Sequence, residues 1–180
     1  MSGELHKALV SAAAEWAKKR YPVVLTEVVS CARETPDVMG FKSDQSVLIE
    51  CKASRSDFHR DKHKVVRMMP ENGMGRVRYY CAPTGLLKAD DMPNGWGLLG
   101  VNNGKARVIH KPAGHYLPCN ARDEVTLLVS VLRRVAGGWP DSVSIKCYEH
   151  ETRDATVSIE PARACAWEQG ECERRCGDEG

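Results

Sequence analysis

Apolar residues near the start of the chain recur at helical spacing. In "GELHKALVSAAAEWAKKRY", Leu5, Leu9, Ala12, Ala13, Trp16 and Ala17 form one stripe. This predicts an amphipathic helix, with Ser2 as its cap and Pro22 as its stop. The period then changes. "VVLTEVVS" is β-branched enough for a strand, "PDVMGF" reads as a second, and "KSDQ" as the turn into a third. That third segment, "SVLIECKAS", alternates: Val47, Ile49, Cys51 and Ala53 point one way, and Leu48, Glu50 and Lys52 the other. Ser56 reads as the cap of a helix over "DFHRDKHKVVRMM" that Pro70 ends, and "ENGMG" as a loop. "RVRYYCAP" is a fourth strand. After the irregular "TGLLKADDMPNG", "WGLLGVN" and "KARVIHKPA" form a hairpin around "NNGK". A helix over "ARDEVTLLVSVLRRVAGG" stops at Gly137 and Gly138. "SVSIKCYE" and "TVSIEP" follow as strands, and "CAWEQGECERRCGDEG" reads as a frayed end.

The order is α-β-β-β-α-β followed by further strands and a helix, with no internal repeat. It predicts an α/β fold with a mixed sheet. The expected core covers 1–118. A helix and strands over 119–164 would pack on it, and 165–180 would be a flexible tail rich in cysteine and acid.

Composition bounds the function. Of 180 residues, 42% are hydrophobic and 28% charged, with a net charge of +2, an ordinary soluble balance. No apolar run is long enough to span a bilayer. The start "MSGELHKALV" lacks the basic and apolar regions of a signal peptide. Cys31, Cys51, Cys81, Cys119 and Cys147 lie singly, mostly in strand-like runs. Buried, reduced thiols in a cytoplasmic protein are expected. Charge is uneven along the chain. Between Arg55 and Arg78 seven Lys and Arg face only Asp57, Asp61 and Glu71, whereas the segment from Glu168 onward is acidic. Such a basic stretch suits phosphate or is a solvated helix face.

The alternation in the third strand makes Glu50 and Lys52 neighbours on one face, and the turn before it brings Asp37 level with Glu50. Two carboxylates so close repel, and one pKa rises unless a cation sits between them. Mg²⁺ or Mn²⁺ with oxygen ligands answers that, and the Cys51 carbonyl is a candidate third ligand. Lys52 can hold and polarise a water for attack on phosphorus, while the ion neutralises charge on the phosphate.

Pro36-Asp37 followed by Glu50-Cys51-Lys52 resembles the signature of the PD-(D/E)XK nuclease superfamily, in the same α-β-β-β-α-β order. "SRSDFHRDKHK" is similar to small bacterial and phage members, including DNA-repair proteins with Ser-Arg-x-Asp-Phe after the lysine. The likeness covers residues 4–101. It implies a restriction-endonuclease-like core and an Mg²⁺- or Mn²⁺-dependent endonuclease acting on DNA. Asp37 and Glu50 would be metal ligands and Lys52 the water-activating residue. Many members add an acid from the first helix, for which Glu4 is the candidate, then Glu15, with Glu27 on the first strand a further option. Arg55, Arg60 and Lys64 would contact the DNA backbone.

Other readings stand beside this one. Asp37, Glu50 and Lys52 can form a salt-bridged trio without chemistry, leaving a catalytically inactive DNA-binding module. His59 and His63 share a helical face and are zinc ligands or surface histidines. His110, His115 and Cys119 have only a loose metal spacing. Cys165, Cys172 and Cys176, with Cys31 or Cys147, would make a metal-stapled interaction protein. Tyr79, Tyr80, Trp96 and Trp139 read as core aromatics. The expected partner is DNA, with no membrane, and a homodimer is left open.

Overall fold

A computed structural model of the chain describes residues 2–114, 116–135 and 143–145. The first helix, α1, runs Ser2–Lys18. Three antiparallel strands follow: β1 Val23–Thr26, β2 Val38–Lys42 and β3 Gln45–Cys51. Two short helices, α2 Arg55–Lys62 and α3 Val65–Met68, carry the chain back to β4 Val77–Pro83, which lies parallel to β3. A crossover through residues 84–96 leads to β5 Gly97–Asn102, parallel to β4, and a hairpin to β6 Lys105–His110. The hairpin turns at Asn103 and Gly104, both at positive φ, as its tight geometry demands. Helix α4, Ala121–Val135, and strand β7, Val143–Ile145, complete the described elements. One mixed sheet results, in the order β6-β5-β4-β3-β2-β1-β7.

Strands β3 and β4 are buried almost throughout, because helices cover both faces of the parallel centre. Period-2 alternation sorts their side chains. Val47, Ile49, Cys51, Tyr79 and Cys81 face α1 and pack with Leu9, Ala13, Trp16 and Ala17. Leu48, Tyr80 and Leu98 face the other way and pack with Phe58 of α2 and with Leu127 and Val131 of α4. Gly75 leads into β4 at φ +82°, where an added Cβ would come 2.5 Å from Leu48 Cβ. Only glycine combines that dihedral with so close an approach.

Some sequence expectations are corrected. Strand β1 ends at Thr26, before "EVVS". Leu5 is exposed rather than part of the buried stripe. Ser54, not Ser56, caps α2, accepting a hydrogen bond from the Asp57 N–H at 3.2 Å. The single helix expected up to Pro70 is two, because Lys64 takes an extended conformation between α2 and α3. Cys31 is exposed and Cys119 only partly buried, whereas Cys51 and Cys81 are buried as expected, and all four thiols are free. Tyr79, Tyr80 and Trp96 are core residues. Trp139, Cys147, "TVSIEP" and 165–180 lie outside the described residues. No helix among the described residues is long and apolar enough to cross a membrane.

Candidate active site

The β2–β3 pairing ends at Val38 opposite Ile49. Asp37, one residue earlier, therefore stands beside Glu50. Its side chain takes over where the ladder stops: Cys51 N–H donates to Asp37 Oδ2 at 2.7 Å. On its other side Glu27 N–H donates to the Asp37 carbonyl at 3.0 Å. Glu27 has left the strand at φ +49°, a conformation that costs a non-glycine residue free energy and is found preferentially at working sites. Its carboxylate approaches His6 Nε2 at 3.4 Å, and the same nitrogen is 3.6 Å from Asp37 Oδ1. One ligating atom from each of His6, Glu27 and Asp37 lies within 4.8 Å of the others.

Glu50 and Lys52 point to the α2 side, opposite Ile49, as the alternation requires. Lys52 Nζ donates to Glu50 Oε2 at 2.9 Å and lies 3.3 Å from Asp61 Oδ1. Behind them Arg67 of α3 is fully enclosed. Its Nε donates to Asp61 Oδ2 at 3.0 Å, its Nη1 pairs with Glu34, and its Nη2 lies 3.0 Å from Glu50 Oε1. That last contact is ionic rather than a directed hydrogen bond, since Glu50 Oε1 has no hydrogen-bond donor. Tyr80 Oη donates to Asp61 Oδ2 at 2.9 Å, and Lys64 Nζ pairs with Asp61 Oδ1 at 2.7 Å. Three carboxylates, Glu34, Glu50 and Asp61, thus meet three cations, Lys52, Lys64 and Arg67.

Asp37 stands outside this balance. Burial, and then the charge of Glu50, push its carboxyl up from 3.8 to about 6, against the pull of the Cys51 N–H, Lys52 and His6. Burial also works against the charges of Asp61 and Lys52, but their partners outweigh it. Arg67 and Lys52 hold Asp61 well below the usual carboxylate range, and Glu50 and Asp61 hold Lys52 above its ordinary value. Lys52 is therefore a firmly protonated donor. One of its N–H bonds is donated to Glu50 and the contact with Asp61 is ionic, which leaves an N–H for a water or an oxyanion.

A cleft of about 280 Å³ opens onto part of this cluster. His6, Asp37, Glu50, Cys51 and Lys52 contribute to its wall, as do Asp57, Arg60, Asp61 and Lys64.

No family model matches the chain, and no curated protein does. Among solved structures it is similar to the SPO1766 protein of unknown function from Silicibacter pomeroyi, with a TM-score of 0.56 and 20% sequence identity over 74% of this chain and 90% of that one. At that identity the likeness is one of fold.

Of the residues singled out from sequence, Asp37, Glu50, Cys51, Lys52, Arg60 and Lys64 come together in the cleft. Glu4 does not. It is exposed, about 200° around α1 from His6, so the helix turns an imidazole rather than a carboxylate toward Asp37. Glu15 is exposed and pairs with Lys18 at 2.9 Å. Arg55 is held by both oxygens of Asp91, at 2.8 and 3.2 Å, and by the Leu86 carbonyl, which ties it to the β4–β5 crossover instead of the cleft. His63 caps α2, and His59 and His110 are exposed; none joins a group of three ligating side chains among the described residues. His115 lies outside those residues.

His6, Glu34, Asp61 and Arg67 were not anticipated. His6 could have been found, since it precedes Leu9 by three and Ala13 by seven and so borders the buried stripe. Asp61 follows Phe58, a core residue, by three. Glu34 and Arg67 carry no such signal.

Proposed function

We propose that the chain is a divalent-metal-dependent DNA endonuclease of the PD-(D/E)XK type, with a restriction-endonuclease-like core, working in the cleft between the ends of β2 and β3. The observation that carries this reading is the convergence of Asp37, Glu50 and Lys52 in one cleft, with the Asp37 carboxyl raised to about 6 by burial and then by the charge of Glu50. The donor set suits a hard or borderline divalent ion: two carboxylates and an imidazole with mutually facing atoms. Asp37, Glu27 and His6 would hold Mg²⁺ or Mn²⁺. Glu50 and the Cys51 carbonyl could join by exchanging a present contact for the ion. A bound ion would supply charge neutralisation on the scissile phosphate and a lowered pKa for its water. The chain's own part is positional. Lys52 directs its remaining N–H at the attacking water or a phosphate oxygen, and Glu50 and Asp61 hold that ammonium still. Arg60 and Lys64, at the rim, would take the flanking backbone.

Incubation with supercoiled plasmid tests the reading. Nicked or linear product is expected with Mg²⁺ or Mn²⁺ and none with EDTA. Asp37→Asn is expected to lose cleavage by a factor of about 100 or more, because it removes transition-state charge stabilisation, while retaining DNA binding. Undiminished cleavage by Asp37→Asn, or in EDTA, rules the assignment out. A second reading, a DNA-binding module without activity, is favoured by the ion pairing of Glu50, whose two oxygens already face Lys52 and Arg67. Salt-sensitive DNA binding without product under any divalent ion would select it.

A further inference from the structure

A larger cavity, of about 450 Å³, lies at the opposite end of β3 from the cleft. Its lining includes Gln45, the first residue of β3, whereas the cleft is lined by Cys51, the last. The seven residues of β3 separate the two by about 20 Å. The faces differ too, since Trp16 and Tyr79 of the cavity belong to the α1 side of the sheet and Lys52 does not. The cavity is a separate place on the molecule.

Its chemistry is specific. Trp16, Tyr21, Tyr79 and Tyr116 supply aromatic wall, and Arg20, Lys42 and Lys111 supply positive charge. No carboxylate lines it. Among the described residues none of these three cations reaches a carboxylate. Arg20 donates to the Trp16 carbonyl at 2.8 Å and lies 4.2 Å from the indole centroid, and Lys42 lies 5.7 Å from the Tyr21 ring. This contrasts with the cleft, where carboxylates stand beside the cations. Tyr116 is nearly half-exposed and carries Arg76 5.0 Å from its centroid, which leaves one ring face for a ligand. Gln45 accepts from Tyr21 Oη at 3.1 Å, so its amide N–H₂ remains available to a polar edge. Burial lifts the Tyr21 hydroxyl to about 12, so it stays a neutral donor there. The volume falls within the roughly 300–1,000 Å³ of small-ligand sites.

An aromatic wall, cations with no carboxylate partner among the described residues and an amide together match one chemical unit: a flat heterocycle bearing a phosphate. We propose that this cavity binds a nucleoside monophosphate unit, either as a free nucleotide or as one residue of a single strand. The base would lie against the exposed Tyr116 ring, with its edge toward Gln45 and the phosphate between Lys42 and Lys111. Aromatic stacking with flanking cations is how single-stranded nucleic acid is held without sequence readout. The inference is independent of metal and of cleavage.

Isothermal titration of the full chain in EDTA tests it, with deoxyadenosine 5′-monophosphate, a short oligodeoxyadenylate and inorganic phosphate as probes. Saturable binding of the mononucleotide identifies a free-nucleotide site, and binding of the oligonucleotide alone identifies a strand site. In either case the double variant Lys42→Ala/Lys111→Ala is expected to weaken binding about tenfold or more, and Tyr116→Ala by a similar factor. Neither Lys42 nor Lys111 lines the cleft, so loss of binding in the double variant separates this cavity from it. The proposal is overturned if neither nucleotide probe saturates, if the double variant binds like the parent, or if inorganic phosphate binds as tightly as the nucleotides.

Discussion

At the scale of single residues, Asp37 is the group whose environment is least settled. Its carboxyl is raised from 3.8 to about 6, first by burial and then by Glu50. A raised acid pKa lowers stability wherever the group ionises. Below about pH 4 the carboxyl is protonated in both folded and unfolded chains, with no effect. Between about 4 and 6 the unfolded chain has released the proton and the folded one has not, so stability falls as pH rises. Above about 6 the deficit is constant, at about 2–3 kcal/mol for a shift of this size. Asp37→Asn keeps an oxygen for the Cys51 N–H and removes the charge. It should therefore melt higher than the parent at pH 8, and the gap should close near pH 4. Mg²⁺ or Mn²⁺ should raise the melting temperature of the parent and leave the variant unmoved. Thermal melts at the two pH values check both statements; a variant melting below the parent at pH 8 contradicts them.

Among the elements, the break between α2 and α3 matters most for the site. A straight helix through Pro70 would carry Arg67 on the same rod as Asp61. The extended Lys64 instead re-aims the chain, and Arg67 enters a cage of Glu34, Glu50 and Asp61, with its guanidinium 5.3 Å from the Trp96 ring centroid. A planar fork can serve three carboxylates at once, whereas an ammonium is a point charge. Arg67→Ala strands buried carboxylates and should cost about 3–5 kcal/mol, with Arg67→Lys recovering only part. Urea unfolding measures this. A loss below about 1 kcal/mol would mean that the three acids are solvated or protonated rather than held by Arg67.

For the whole molecule, the basic stretch from Arg55 to Arg78 does not act as one surface. Arg67 is caged, and Arg78 is buried and donates to the carbonyls of Gly75, Gly73, Pro70 and Pro118. Arg55 is tied to Asp91. Arg60 and Lys64 are exposed at the rim of the cleft. DNA tracking across that rim would be sensed by those two. Arg60→Ala and Lys64→Ala should each reduce the log–log salt slope of DNA binding by about one, and Arg55→Ala should leave it unchanged. Binding titrations over several salt concentrations decide. An unchanged slope in the Arg60→Ala/Lys64→Ala double variant would move the DNA off this rim.

The sequence by itself determined what depends on local geometry. A strand alternates with period two, so Glu50 and Lys52 had to share a face opposite Ile49. The tight turn after β2 left one register that buries Val38, Val47 and Ile49 together, and that register sets Asp37 beside Glu50. The helical stripe likewise announced which side of α1 meets the sheet. Only the tertiary structure decided which charges meet. Glu34 and Arg67 are 33 residues apart, and a charged side chain in isolation reads as a surface residue whether or not a partner awaits it in the core. The same reason explains why Arg55 turned to Asp91, why His6 rather than Glu4 faces Asp37, and why a helix with no proline before residue 70 breaks at Lys64. Each outcome depends on where distant elements pack, and no local period encodes it.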